Sequence, residues 1–331
     1  MVRRRMKIVI PGGSGQVGTI FARAFCARGD EVVVLSRRAN GDGDGDSGAR
    51  PWRLRHWDGK TLGPWASEID GADVVINLAG RTVNCRYTEE NLRQMIDSRV
   101  DSTRVVGEAI AAAERPPPLW LQMSTATIYA HRYDAANDEA RGIIGGSEVG
   151  VPAYWARSVD IAKAWESTLD AAQTPETRKV ALRTAMVMSP DADGVFSVLA
   201  KLVRLGFGGP VDGGTQYVSW IHERDLVAAI DFLIAHSELA GPVNVCAPTP
   251  LTQRAFMADL RAAMGRRLGL PATKWMLGIG AFFMRTDTEL LLKSRRVVPG
   301  RLLEAGFGFE YETWGEAARE LVARSRAQAA V

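Results

Sequence analysis

Residues 6–18 read MKIVIPGGSGQVG, and the rest of the chain is placed by reference to them. Lys7 opens a short run rich in β-branched residues that ends at Ile10, and from Thr19 to Arg28 apolar residues recur at helical spacing. The order is therefore strand, glycine turn, helix. Gly12, Gly15 and Gly18 keep a G-x-x-G-x-x-G register, with Gly13, Ser14, Gln16 and Val17 filling it. Bare backbone at this corner lets a pyrophosphate reach the amides at the helix N-terminus, and the missing Cβ of Gly18 lets the helix lie close on the strand. A tight βα turn with no ligand uses the same glycines; the strand before and the amphipathic helix after them favour nucleotide binding.

The next strand, EVVVL at residues 31–35, ends where an adenosine ribose would lie. A carboxylate at its end would hold both ribose hydroxyls and favour NAD, but the chain has Ser36, Arg37 and Arg38. Two guanidiniums and a hydroxyl suit a 2′-phosphate, so NADPH is expected over NADH, although basic loops are also simply solvated. Residues 40–48, NGDGDGDSG, read as a mobile surface loop; they lack the spacing and bidentate glutamate of an EF-hand. A short strand at residues 52–57 is closed by Asp58, which either accepts from the adenine amino group or forms a turn before Gly59. The buried run at residues 72–78 leads into Leu78, Ala79 and Gly80, small enough for backbone to pass close to a ribose and pyrophosphate.

Bulk properties narrow the field. A chain of 331 residues that is 46% hydrophobic has room for a large α/β domain and a smaller lobe. The net charge of +3 is spread among mixed signs, which gives no footprint for nucleic acid, and no segment reaches the length of a membrane span. Cys26, Cys85 and Cys246 lack C-x-x-C pairing and read as thiols in a reducing cytoplasm, with no metal site.

Further strands are expected at residues 119–123, 179–184 and 242–246, and helices at residues 88–114, 154–172, 194–206 and 223–235, the first capped by Thr88. This alternation is that of an α/β, doubly wound parallel sheet of Rossmann type. Residues 1–185 and 218–246 are assigned to the dinucleotide domain. Residues 186–217 and 247–331 are assigned to a smaller, discontinuous C-terminal lobe.

Laid out in this way, the chain resembles the extended short-chain dehydrogenase/reductase superfamily, and within it the atypical YfcH-like epimerase-family proteins with a C-terminal extension. The shared marks are GGSGQVG, NLAG at residues 77–80, DSRVDSTR at 97–104, AWE at 164–166, SWIHERDL at 219–226 and RRVVPGRLLEAGFGFEY at 295–311. The resemblance implies an NADP(H)-linked oxidoreductase or epimerase-like enzyme acting on a small molecule.

It also implies a site. An ordinary member uses a Tyr-x-x-x-Lys pair beside the substrate carbonyl, a Ser or Thr that orients the carbonyl, and an Asn. Thr125, four residues before Tyr129, falls in the Ser/Thr position with Ser124 beside it, although hydroxyls at a strand end also satisfy backbone. The tyrosine and lysine slots hold Ser158 and Ala162, and Lys163 is about 100° round the helix from the shared face. Arg99 replaces the Asn; it cannot deliver a proton but can hold a carboxylate or phosphate, so with Ser98 it reads as a positioning group. The proton donor is left among Tyr129, Tyr154, His222 and water. Loss of Tyr and Lys also fits a protein that keeps the nucleotide as a sensing ligand. A substrate pocket is expected near Phe207, Gly208, Gly209, Gln216, Tyr217, Trp220, Arg81 and Arg86, residues that would equally pack the two lobes together. The outer faces of the helices at 89–114 and 154–172 suit a homodimer.

Overall fold

The computed structural model describes residues 4–38, 50–83, 85, 87–192, 194–271 and 292–329. The glycine–aspartate run at 40–48 and Arg86 lie outside them. Seven strands, β1 (Lys7–Pro11), β2 (Glu31–Ser36), β3 (Arg53–His56), β4 (Val74–Asn77), β5 (Leu119–Thr125), β6 (Arg178–Thr184) and β10 (Gly241–Val245), form one sheet in the order β10-β6-β5-β4-β1-β2-β3. Every pairing in it is parallel. The chain leaves β1 toward β2 and β3, then crosses back to β4 and onward. This reversal opens a crevice at the strands' carboxyl ends between β1 and β4, the usual ligand position in such sheets.

Alternation along each strand builds two cores, one on each face. Ile8 and Ile10 of β1, Val32 and Val34 of β2, and Val74 and Ile76 of β4 bury against α1 (Gln16–Ala27) and α5 (Glu223–Ala235). Val9, Val33, Leu35 and Val75 face the other way, onto Val105, Val106, Ala109 and Ile110 of α2 (Glu89–Ala112) and Leu169 of α3 (Ala156–Ala171). Each side chain of this kind taken fully out of water contributes about 1.5–3 kcal/mol. The expected cap of α2 is present: Thr88 accepts from the Asn91 amide.

Short strands went unforeseen. β7 (Met186–Met188) pairs with β9 (Trp220–His222), and β8 (Tyr217–Val218) with β11 (Leu251–Thr252). Two or three residues are too few for a period to register. With α4 (Val195–Arg204), α6 (Gln253–Ala263) and α8 (Trp314–Ala329) they enclose a separate core in which the Trp314 ring stacks on Phe256 at 4.1 Å and meets Trp220 edge-on at 5.1 Å. Between these elements the tail returns to the main sheet: Leu302 of α7 (Gly300–Glu304) and Phe307 join the core beneath α5.

Candidate functional site

The corner after β1 closes against two neighbouring strands. The Gly12 amide donates to the Leu35 carbonyl at the end of β2 (2.9 Å), and the Leu78 amide donates to the Pro11 carbonyl (2.8 Å). Gly12 has φ +72°, and a Cβ there would lie 2.6 Å from the Ala79 Cα. A Cβ on Gly18 would meet the Gly13 carbonyl oxygen at 2.2 Å, so the helix start and the turn are in direct backbone contact. Gly15 differs. It is the N-cap of α1, and no atom of the described residues stands within 4 Å of where its Cβ would be.

The first turn of α1 carries neither a capping side chain nor an acid, so among the described residues its leading amides are without a side-chain partner. Among the described residues the side-chain amide of Gln16 is a buried donor with no acceptor. Ser14 is exposed and Val17 half-buried along the same lip. Open space at Gly15 and uncapped amides fit a diphosphate with bases attached. Beyond β2, the Ser36 hydroxyl is buried and accepts from the Arg38 amide (3.2 Å), while Arg37 and Arg38 are exposed. Asp58 is engaged in its turn. It accepts from the amides of Lys60 (2.8 Å) and Thr61 (2.9 Å) and from the Thr61 hydroxyl (2.6 Å). Partial burial works against its ionised form, but these bonds outweigh it and hold the carboxyl at about 2.

On the other side of the crevice, Asn77 is sealed at the end of β4. It donates to Gln122 (3.0 Å) and accepts from the Ala79 amide (3.1 Å), which fixes the path of residues 78–80. Over that path lies Arg99 of α2, whose Cζ would be 3.1 Å from a Cβ on Gly80. Ser98 accepts from the Arg81 amide (2.9 Å).

The hydroxyl candidates separate at the end of β5. Thr125 is half-buried and caps the short turn that follows, accepting from the Thr127 amide (3.2 Å). Ser124 points inward and donates to Glu166 of α3 (2.5 Å). Glu166 in turn takes two bonds from Arg183 of β6 (2.7 and 2.9 Å), and Arg183 donates to the Tyr129 hydroxyl (2.9 Å), which donates to Asn244 (2.9 Å). Burial, opposed by Arg183 and Asn244, pushes the Tyr129 phenol up. Ser124 and Tyr129, expected as catalytic groups, thus belong to an internal network, because a buried ion pair must have its remaining lone pairs and protons satisfied. Residue order had not pointed to Arg183 or Asn244. An arginine inside the apolar strand KVALRT was the available signal.

Ala162, in the lysine slot, is fully buried. Ser158 donates to the Trp155 carbonyl (3.1 Å), and Lys163 is exposed and donates to the Gly145 carbonyl (3.2 Å). Tyr154 is 37% exposed in the single turn before α3. His222 is fully buried as the N-cap of α5: its Nδ1 accepts from the Arg224 amide (3.1 Å), and its Nε2 meets Glu320 of α8 (3.0 Å). Of the residues expected along a substrate pocket, Trp220 and Gln216 are buried and Trp220 packs the lobe core, whereas Phe207 is 54% exposed. Among the described residues no group of His, Cys, Asp or Glu could hold a metal ion, and no helix is long and apolar enough to cross a membrane.

A parallel sheet with a glycine corner at its topological switch, and a hydroxyl at the end of β5, defines a dinucleotide-binding protein of the short-chain dehydrogenase/reductase kind. Residues 8–246 match the NAD dependent epimerase/dehydratase family, and the chain belongs to it; residues 272–321 match a domain of unknown function, DUF1731. The chain is 29% identical to human epimerase family protein SDR39U1 over 323 residues, 96% of this chain and 100% of that one, and 30% identical to the Bos taurus protein of the same name over 96% and 100%. The crystal structure of human SDR39U1 (isoform2) with NADPH superposes with a TM-score of 0.81 at 27% identity, covering 96% and 99% of the two chains.

Proposed function

We propose that this protein binds NADPH in the crevice between β1 and β4 and uses it as an oxidoreductase or epimerase-like enzyme on a small carbonyl or hydroxyl compound. The observation that carries this reading is the corner itself, where Gly12 and Gly18 are closed by backbone contact while Gly15 opens onto uncapped helix amides. The NADPH of the human relative's crystal structure supports it. Gly12, Gly13, Ser14, Gly15, Gln16, Val17 and Gly18 would receive the diphosphate. Leu78, Ala79 and Gly80 would flank the ribose, and Ser36, Arg37 and Arg38 the 2′-phosphate. Asp58 stands at the adenine end as a turn former.

A bound reduced nicotinamide supplies a hydride. Thr125 orients the oxygen that receives the proton. Tyr154, which is 37% exposed, and water are the proton donors that solvent can resupply, whereas His222 and Tyr129 are buried. Thr125→Val is expected to abolish NADPH oxidation against a panel of carbonyl compounds and sugar nucleotides while NADPH binding, read by fluorescence, persists. Turnover by Thr125→Val at the wild-type rate would remove Thr125 from the chemistry. A second reading, a nucleotide-sensing protein, is favoured by the buried Ala162 and by Ser158, which donates to the Trp155 carbonyl, in the usual catalytic slots. Tight NADPH binding with no turnover on any panel member would establish it. A homodimer through the outer faces of α2 and α3 would sediment at twice the monomer mass.

A further inference from the structure

Two arginines are buried near the carboxyl ends of the sheet, and their surroundings differ. Arg183 is answered by both oxygens of Glu166. Arg99, only 8% exposed, is answered by no carboxylate among the described residues. One of its nitrogens, Nη1, donates to the Met95 carbonyl (2.9 Å), and its flat face lies over the Trp165 ring at 4.9 Å. Among the described residues Nε and Nη2 donate to no protein group, and neither is sealed from solvent. The indole nitrogen of Trp165 beneath is a buried donor with no acceptor among the described residues.

A buried guanidinium without an anion is costly, and here burial draws its pKa down to about 10. Its position says where the anion comes from. Arg99 lies over Gly80, its unused Nε 3.4 Å from where a Gly80 Cβ would stand, and the preceding Ala79 adjoins Gly12 of the glycine corner, which puts that donor beside the crevice between β1 and β4. We propose that Arg99 receives an oxyanion, a carboxylate or phosphate, carried by a molecule bound in that crevice. A planar fork with donors to spare matches either group bidentately. The dinucleotide diphosphate already has the α1 amides, so the oxyanion belongs to the second ligand, and the substrate is an acid or a phosphate ester. This deepens the reading above and rests on it only for the neighbouring occupant.

The test is calorimetric titration of inorganic phosphate and, separately, acetate into the full chain at constant ionic strength, with and without saturating NADPH. Wild type, Arg99→Lys and Arg99→Met are compared, with folding followed by circular dichroism. Wild type is expected to take up one anion, Arg99→Met to bind it about tenfold more weakly or worse, and Arg99→Lys to fall between, because lysine keeps the charge without the fork. NADPH affinity should stay within about twofold across the three. If Arg99→Met instead loses NADPH affinity with no change toward phosphate or acetate, the oxyanion is the dinucleotide's own phosphate. Unchanged binding of all three ligands in a folded variant would overturn the proposal and make Arg99 a packing cation on Trp165. Should Arg99→Met not fold, Arg99→Lys carries the same comparison. Failure of wild type to bind NADPH would strike the cofactor reading alone, since titration of the unloaded protein still decides the arginine.

Discussion

Glycines that look alike in the motif have opposite tolerances once their surroundings are known. Gly18→Ala drives a Cβ into the Gly13 carbonyl, backbone against backbone, and should cost about 3 kcal/mol, read as a lower melting temperature. Gly15 has φ −85° and open space, so Gly15→Val should fold, losing only about 1 kcal/mol for a poorer N-cap residue. The same change fills the space proposed for the diphosphate, and NADPH affinity should fall about tenfold or more by fluorescence titration. Normal NADPH binding by Gly15→Val would move the nucleotide away from this corner. At the adenosine end, the Arg37→Ala, Arg38→Ala pair should weaken NADPH about tenfold while leaving NADH nearly unchanged, since only NADPH carries the 2′-phosphate. Equal weakening of both would remove the basis for cofactor preference.

Among the elements, α3 and β6 are joined by the Glu166–Arg183 pair, which also anchors Ser124 and Tyr129. Burial opposes the Arg183 charge, and the Glu166 bonds outweigh that and raise its pKa. Glu166→Ala strands the guanidinium in a dry site and should destabilise by about 3–5 kcal/mol, whereas Glu166→Leu with Arg183→Leu should recover most of that loss. Denaturant titration of the single and double variants distinguishes these outcomes. Equal losses would mean that volume, and not charge, matters there. The pair also explains why neighbouring hydroxyls diverge: Ser124 points toward α3 and its acid, while Thr125, one residue on along a pleated strand, turns to the opposite face.

The whole molecule is closed by its tail. Asp225 at the start of α5 accepts from the Glu310 and Tyr311 amides (2.7 and 3.1 Å), and His222 beside it reaches Glu320 of α8. SWIHERDL and the C-terminal motif are two halves of one clamp. Burial draws the His222 pKa below its ordinary 6.5, and Arg324 acts the same way, while Glu320 and Asp225 oppose them. The folded state therefore prefers neutral His222. Its contribution is complete above the unfolded pKa and is lost as pH falls below it. His222→Asn keeps an N-cap acceptor without a titration, so the gap in melting temperature between wild type and this variant should narrow from about pH 7 to about pH 5. A constant gap would deny His222 this role. By itself the sequence determined the β1–α1 corner, the Thr88 cap and the span of α5, because apolar period, glycine freedom and capping act within a few residues. Only the tertiary structure decided which polar groups face the crevice. The partners of Ser124, His222 and Tyr129 lie 42, 98 and 115 residues away along the chain, and a hydroxyl or imidazole acquires its surroundings from the group that folding brings within hydrogen-bond reach.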